Sequence, residues 1–318
     1  MSLSRNHKTP KKQKTTRLIA HENMANSDYH SKSEYISSSF VKSVHKHSVG
    51  QAERPLEPSD ALLFGDQFHT YMEGEVDFYK RFAVIDDDDI VKEILSKPKR
   101  DGSYYSNARM TAVYKNWLKD NAPKDREIIS KERLSCIKGM HQSITKNKEL
   151  LRRLEGAKHK RPEWSFFTEP NHVITFWGSH EVEVKDQNGS LFYLDFSIFK
   201  DLNFRIRPDY LVIKDDATLM FDWKTCKDAS LRAFKRDFFS LGYDIQAVFY
   251  AGVYGMKPEN FFFVAVEKEP PLSSVVYGLG EETIHSGILK LYNALLRIKN
   301  WKETGFKGLE ESKKANLL

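Results

Sequence analysis

The sequence predicts an α/β fold, because helical and strand patterns follow one another in separate blocks along the chain. Apolar residues recur at helical spacing through much of residues 56–160. From about Trp164, β-branched and aromatic residues form short runs that are separated by turn segments. A helical stretch, a short apolar strand and a closing helix follow. This order predicts an α/β core with an N-terminal helical elaboration.

Length and composition predict a soluble protein with one large domain or two small ones. The chain has 318 residues, of which 40% are hydrophobic and 30% charged, and its net charge of +6 suits a polyanionic partner. Its two cysteines, Cys136 and Cys226, are too few for a four-cysteine zinc site or iron–sulfur cluster. No apolar run approaches the roughly 18 residues that span a membrane, and no secretory signal is evident. We therefore expect a cytoplasmic protein without a membrane segment.

Residues 1–55 are polar, basic and rich in serine. Basic side chains are concentrated near the start, at Lys8, Lys11, Lys12, Lys14 and Arg17. Because no apolar pattern persists there, the sequence predicts a disordered or flexible arm, which either contacts phosphates or is a solvated tail. A helical region over 56–160, a core over 161–305 and a tail over 306–318 are expected to follow.

Helices are predicted in the first half of the chain. Ser59 or Asp60 can cap a helix that runs to about Glu73. Residues 104–120 and 130–156 also have helical patterns. The acidic run over residues 86–89 fits a loop and a first helical turn better than a metal cluster, since the helix dipole favours carboxylates there.

Strands are predicted in the second half, where β-branched and aromatic residues dominate. They span residues 173–177, 180–184, 191–199, 204–213 and 219–223. Turn segments at 186–189 and 214–217 favour an antiparallel meander. A helix over about 228–255, a buried strand over 261–267 and a helix over about 281–304 complete the core.

Three ionisable side chains are predicted to converge within this core. Asp222 lies 13 residues after Asp209, and Lys224 follows two positions later. Residues two apart on a strand share a face, so Asp222 and Lys224 point the same way, and Asp209 can reach them across a hairpin. Both aspartates lie in otherwise apolar strands, where carboxylates are unfavourable unless they are paired or coordinating.

This arrangement indicates a divalent-metal site for cutting phosphodiesters. Paired carboxylates suit hard cations such as Mg²⁺, which polarise phosphate and lower the pKa of bound water. Lys224 would position that water or neutralise charge on phosphorus. Each part also has an ordinary alternative, because an Asp-x-Lys pair is often on a solvated strand and an aspartate after proline is often in a turn.

Four short motifs occur in a recognisable order. They are Gly-x-x-x-His within residues 63–69, Arg-Pro-Asp at 207–209, Asp-x-Lys-Thr at 222–225 and Gln-x-x-x-Tyr at 246–250. In these residues the sequence resembles the PD-(D/E)XK nuclease superfamily, and within it the RecE-like phage and prophage exonucleases, relatives of the RecB nuclease domain. The resemblance covers roughly residues 60–268 and implies a restriction-endonuclease-like core, with a mixed central sheet flanked by helices.

The resemblance implies roles for the matching residues. The metal, Mg²⁺ or Mn²⁺ in its place, would be bound by His69, Asp209, Asp222 and the backbone carbonyl of Trp223. Asp209, Asp222 and Lys224 would be catalytic. Gln246, Tyr250 and Arg207 would contact DNA or order the site.

A further acid upstream of the Arg-Pro-Asp strand is implied by the same resemblance. We choose Glu181 as this catalytic residue, and Glu163 and Glu183 compete for the role. The interval between Glu181 and Asp209 is longer than the family's usual gap.

The function implied is that of RecE-like enzymes, which degrade linear duplex DNA from 5′ ends and leave 3′ single strands. A single-strand annealing protein then uses those strands for recombination. Several relatives form ring oligomers, which implies a homo-oligomer here. We therefore expect a metal-dependent DNA exonuclease. The alternatives are a RecB-type nuclease that acts on single strands, flaps or internal bonds, and a non-catalytic DNA-binding module.

Overall fold

A five-stranded mixed sheet with helices on both faces forms the centre of the computed structural model, which describes residues 18–54, 57 and 59–308. The strands are β1 Leu18–His21, β2 Phe82–Ile85, β3 Glu127–Ser130, β4 His159–Pro162, β5 Ser165–Thr168, β6 Glu181–Lys185, β7 Leu191–Asp195, β8 Arg205–Ile206, β9 Tyr210–Ile213, β10 Thr218–Cys226, β11 Phe261–Glu267 and β12 Ser274–Tyr277. The helices are α1 Asn26–Ser31, α2 Ser38–Lys46, α3 Val49–Ala52, α4 Asp60–Glu73, α5 Glu75–Arg81, α6 Asp88–Ser96, α7 Ala112–Asn121, α8 Lys131–Thr145, α9 Lys148–Leu154, α10 Leu231–Ser240, α11 Tyr243–Tyr254 and α12 Glu281–Thr304. Within the described residues, none of the helices is both long and apolar enough to cross a membrane.

The central sheet has the order β12-β11-β10-β9-β4, with β10 and β11 parallel and the other neighbours antiparallel. Successive side chains point to opposite faces. Phe261 and Phe263 therefore enter a core shared with α2, α11 and α12, whereas Phe262 and Val264 enter a second core shared with α4, α5 and α8. The expected mixed sheet flanked by helices is confirmed.

The helical region and the sheet share this second core. Phe68 of α4 and Ile137 of α8 are buried with Phe221 and Val264 of the sheet. The helix expected from Ser59 or Asp60 to Glu73 is α4, and Ser59 caps it by accepting a hydrogen bond from the Leu62 amide at 3.2 Å. The expected division of the chain at residues 160 and 161 stays a prediction.

The expected flexible arm over residues 1–55 is wrong for residues 18–54. These residues form β1 and the helices α1 to α3. Val41 and Val44 of α2 are fully buried against α11 and α12. A nine-residue helix has little stability of its own, but packing of its apolar stripe stabilises it. Residues 1–17, 55 and most of the expected tail, 309–318, lie outside the described residues.

Two long predicted helices are each divided by a local signal within a continuous apolar pattern. Asn147 separates α8 from α9, because its side chain accepts a hydrogen bond from the Leu150 amide at 3.0 Å and so starts a new helix. Gly242 separates α10 from α11 with a φ of 67°, in the left-handed region that favours glycine. The predicted helix over 104–120 is shortened to α7, which Thr111 caps.

The expected meander is distributed over separate sheets. The predicted strand over 204–213 breaks at Pro208, which has no amide hydrogen to donate, and β8 pairs with β5 outside the central sheet. β6 and β7 form a hairpin of their own. Over 173–177 the described chain forms no named strand, and Trp177 has a φ of 51°.

Packing of α2 on the core predicts a loss of stability when its apolar stripe is cut back. We expect Val44→Ala to lower the free energy of unfolding by about 2 kcal/mol, because two buried methyl groups are lost and a cavity remains. Urea denaturation measures this. Ser39→Ala, at an exposed position of the same helix, serves as the control and should change stability by less than about 0.5 kcal/mol. Equal effects of the two substitutions would contradict the packing of α2.

Candidate active site

The β9–β10 hairpin brings Asp209 next to Asp222. Tyr210 pairs with Phe221, so the preceding Asp209 lies opposite Asp222 in the continued register. Oδ2 of Asp209 accepts a hydrogen bond from the backbone amide of Trp223 at 2.6 Å. The Trp223 side chain lies in the core on the opposite face of the sheet. The two carboxylates therefore share one end of the hairpin.

Asp222 and Lys224 form a buried ion pair on the other face of β10. Their side chains are 3% and 16% exposed, and the Lys224 ammonium contacts Oδ1 of Asp222. Nε2 of Gln246 donates a hydrogen bond to Oδ2. Among the described residues, Oδ1 accepts no well-aligned hydrogen bond. This oxygen therefore keeps a lone pair for a further ligand.

Burial and ion pairing shift the pKa values of these two groups in opposite directions. Burial raises the pKa of Asp222, and the neighbouring ammonium of Lys224 opposes the rise. Burial also disfavours the charge of Lys224, but the Asp222 carboxylate outweighs it and raises the pKa of Lys224 above its ordinary value. Lys224 is therefore a stable cation that cannot act as a base near neutral pH.

A second group of ligand-type side chains lies beside the hairpin. One ligand atom each from His69, Glu163 and Asp209 lies within 4.8 Å of the others. His69 comes from α4, and its Nδ1 is 3.4 Å from Oδ2 of Asp209. Glu163 follows β4 with a φ of 49°, and its amide donates to the backbone oxygen of Asp209 at 3.2 Å. Three separate elements thus deliver an imidazole and two carboxylates to one place.

The charges of this group are strongly coupled. Burial disfavours a charged His69, but the Asp209 carboxylate outweighs it and raises the pKa of His69 to about 9. Burial also pushes the pKa of Asp209 upward, yet His69, Lys224 and the Trp223 amide hold it below its ordinary value. Burial, together with the Asp209 carboxylate, raises the pKa of Glu163 well above its ordinary value. Carboxylates that repel in this way are stabilised when a cation lies between them.

The donor set fits a hard divalent metal ion. Carboxylate oxygens from Glu163 and Asp209, with Oδ1 of Asp222 nearby on β10, are the ligands that Mg²⁺ and Mn²⁺ prefer. The imidazole of His69 adds a nitrogen ligand, which Mn²⁺ also accepts. Of the ligand-type residues that the sequence indicated, His69 and Asp209 belong to this group, and Asp222 lies opposite Asp209 on the adjoining strand.

The choice of Glu181 as the upstream acid is wrong in its placement. Glu181 is exposed on β6 and pairs with Asp195 in a separate hairpin, and Glu183 lies on the same strand. Glu163, the competing residue, is the acid that joins His69 and Asp209. Sequence spacing could not reveal this, because Glu163 reaches the site only through the pairing of β4 with β9.

Gln246 and Tyr250 are both buried and lie four residues apart on α11. Gln246 contacts Asp222, and its Oε1 accepts a hydrogen bond from Nζ of Lys42 at 3.2 Å. The Tyr250 hydroxyl is hydrogen-bonded to Ser38, and burial raises the pKa of Tyr250 well above its ordinary value. Burial favours a site-ordering role for both residues over direct contact with DNA.

Lys42 is a residue near the site that sequence reasoning missed. It lies on α2, in the segment expected to be a flexible arm, and no motif marks it. The available signal for a helix here was a short amphipathic pattern, in which Phe40, Val41 and Val44 recur at helical spacing.

Arg207 connects the site to the N-terminal segment. Its guanidinium donates to Ser165 at 2.7 Å, to the Asn26 side chain at 2.6 Å and to the Met24 carbonyl at 2.9 Å. It also stacks over the Tyr29 ring at 4.3 Å. Because protein groups occupy this guanidinium, the structure favours the site-ordering role over DNA contact, of the two roles that the sequence suggested for Arg207.

The His69–Asp209 contact predicts a histidine with an unusual titration in the metal-free protein. We expect His69 to titrate near pH 9, and Asp209→Asn to lower its pKa, because the carboxylate that raises it is removed while burial, which lowers it, remains. Histidine NMR signals followed against pH measure this. His172, whose pKa burial lowers, is the internal control.

The same contact links stability to pH. Because its folded pKa exceeds the ordinary 6.5, the charged His69 stabilises the fold fully below pH 6.5, and this contribution is lost as pH rises through about 9. An unchanged His69 titration in Asp209→Asn would contradict the ion pair.

Comparison with known proteins bears on the segment that carries most of this site. The family model of a PDDEXK-like domain of unknown function (DUF3799) matches residues 192–316, which include Asp209, Asp222, Lys224 and Gln246. No curated protein matches the sequence.

Solved structures show distant likenesses. A candidate exonuclease from Eubacterium rectale aligns with 14% identity and a TM-score of 0.45, over 90% of this chain and 89% of its own. The protein SSO0001 aligns with 14% identity and a TM-score of 0.25, over 74% of this chain and 84% of its own. Both TM-scores are too low to support a conclusion, so the assignment rests on the family model. The resemblance to the PD-(D/E)XK superfamily that the motifs indicate is therefore confirmed over residues 192–316.

Proposed function

We propose that the chain is a divalent-metal-dependent deoxyribonuclease that digests linear duplex DNA from its 5′ ends. The observation that carries this proposal is the convergence of Asp209, Asp222 and Lys224 on neighbouring strands, beside His69 and Glu163. An array of carboxylates, an imidazole and a buried ammonium is costly to maintain without a ligand. Such an array suits a metal and a phosphate together.

The metal would be held by His69, Glu163, Asp209 and Asp222, with the Trp223 carbonyl as a further ligand. Mg²⁺ is the proposed ion, and Mn²⁺ can substitute for it. When bound, the ion polarises the scissile phosphate and lowers the pKa of a coordinated water. Burial of Asp222 and Asp209 strengthens their hold on a cation, because little water screens the charges.

Lys224 would act on the phosphate directly. Its ammonium stays charged at neutral pH and is fixed against Asp222, so it can orient the attacking water or neutralise negative charge that develops on the phosphate. Gln246 holds the other oxygen of Asp222. The carboxylate is thus fixed from two sides before substrate arrives.

DNA as the substrate is supported by charge. The chain carries a net charge of +6, and α10, which follows β10 and the site, exposes Arg232, Lys235 and Arg236. Basic side chains of this kind bind the phosphate backbone without regard to sequence. The basic cluster of residues 8–17 would add to this attraction.

The 5′ polarity, the 3′ tails left for recombination, a single-strand annealing partner, a homo-oligomeric ring and a cytoplasmic location are parts of the same proposal. They rest on the resemblance to RecE-like exonucleases. A ring that encloses DNA would explain processive digestion through symmetry.

Metal-dependent digestion of DNA ends tests the proposal. With Mg²⁺, we expect linear duplex to lose a 5′ label early and to keep a 3′ label in long strands, and EDTA should stop the reaction because the metal is removed. Gel analysis of end-labelled linear, nicked and circular DNA measures this. Cutting of closed circles would instead support an internal-bond nuclease, and binding without cutting would support a DNA-binding module.

Removal of the central charges should abolish cleavage while DNA binding persists. We expect Asp222→Asn and Lys224→Met each to lower kcat by at least about 100-fold, because both groups stabilise charge in the transition state. Asp216→Asn, an exposed aspartate in the turn of the same hairpin, is the matched control and should retain full activity. Full activity in well-folded Asp222→Asn would rule out the assigned site.

The upstream acid can be decided with a matched pair of glutamates. We expect Glu163→Gln to lower kcat by about tenfold or more, because a carboxylate beside His69 and Asp209 is lost. Glu181→Gln, on the exposed hairpin, should leave kcat unchanged. The reverse result would return the role to Glu181.

A further inference from the structure

Helix α2 brings a lysine from the N-terminal segment to the edge of the nuclease site. The aliphatic part of Lys42 lies directly over Gly242, where an added Cβ would come within 3.3 Å of its Cγ and Cδ. Gly242 also has a φ of 67° at the start of α11. The absence of a side chain at Gly242 therefore opens the path by which Lys42 reaches one helical turn further, to Gln246.

The Lys42 amine meets two groups at the end of this path. Its Nζ donates to Oε1 of Gln246 at 3.2 Å, and it stands 5.6 Å from the centre of the Tyr243 ring. Lys224 approaches the same ring at 4.8 Å. Lys42, Gln246, Asp222 and Lys224 thus form a continuous polar chain from α2 to β10.

The chemistry of the two partners fixes the orientation of the Gln246 amide. Burial and the nearby Lys224 lower the pKa of Lys42 to about 8, so the amine is still largely protonated at neutral pH and can only donate. An ionised Asp222 can only accept. The amide oxygen must therefore face Lys42 and the amide nitrogen must face Asp222. Without Lys42, the bond to Asp222 alone would hold the amide, and the Gln246 side chain would be fixed less firmly.

We propose that Lys42 is a positioning residue of the nuclease site, which holds the oxygen of Gln246 so that its nitrogen fixes the Asp222 carboxylate. This inference rests on the proposed function. On this proposal, α2 contributes to the site, although the sequence predicted a flexible arm at these residues. Groups that orient metal-binding carboxylates in this way commonly change metal affinity or activity by about 10- to 100-fold when they are removed.

The experiment compares single and double variants with respect to kcat, KM and metal affinity. Lys42→Met removes the donor and keeps most of the apolar part of the side chain. Lys42→Gln is one bond too short to replace it, and Lys42→Arg keeps a charged donor. Lys46→Met on the same helix is the matched control for loss of charge, because Lys46 is exposed and contacts the Ser240 carbonyl instead. Each variant is checked for folding by urea denaturation.

We expect Lys42→Met and Lys42→Gln to lower kcat by about tenfold with KM for DNA within about twofold, and Lys42→Arg to restore most of the loss. In a Gln246→Ala background, Lys42→Met should change kcat by less than about twofold, because its effect passes through that amide. Titration with Mn²⁺ alone should show about tenfold weaker binding in Lys42→Met. Lys46→Met should match the wild-type protein in each measurement.

Several results would overturn the inference while the proposed function stands. They are wild-type kcat in Lys42→Met, an undiminished effect of Lys42→Met in the Gln246→Ala background, or a change confined to KM, which would mean that Lys42 binds DNA instead. Absence of metal-dependent cleavage in the wild-type protein would contradict the proposed function itself. Even then, unchanged Mn²⁺ affinity in Lys42→Met would independently contradict the role of Lys42.

Discussion

The buried carboxylate of Asp222 is the group on which the architecture of the site depends. A buried charge must be compensated, and here Lys224 does so from the same strand face while Gln246 donates from α11. Because side chains alternate along β10, the position of the ion pair follows from the packing of its neighbours. Phe221 and Trp223 fill the core on one side of β10, so Asp222 and Lys224 must project to the other. The alternation of side chains along β10 therefore determines both which residues pack in the core and where the charged groups lie.

Local spacing in the sequence was sufficient to predict how the site residues that lie close together in the chain converge. Asp222 and Lys224 lie two apart on one strand, and Asp209 returns across a tight hairpin, so their convergence follows from strand geometry. Glu163 could not be placed in this way. It reaches Asp209 through the pairing of β4 with β9, and the register of distant strands is set by packing that no local pattern records.

The N-terminal segment and the two divided helices were also beyond what local sequence patterns could predict. Residues 18–54 are polar on average, and only contact with α11 and α12 makes the short apolar stripe of α2 a stable helix. Asn147 and Gly242 interrupt apolar patterns that are otherwise continuous. Asn147 has an extended backbone and caps a new helix, and Gly242 adopts a left-handed conformation. Fold class, which depends on the order of the patterns, survives such local changes.

The parallel pairing of β10 with β11 has a consequence for how the site is covered. Two adjacent strands that run the same way cannot be joined by a tight turn, so the chain must travel back along the sheet, and α10 with α11 form this return path. Such crossovers are right-handed in nearly all proteins, which determines the side on which they lie. Gln246 thus sits above Asp222 as a result of topology. Had the strands been antiparallel, a short loop could have joined them, and the charged face of β10 would have been left open to water.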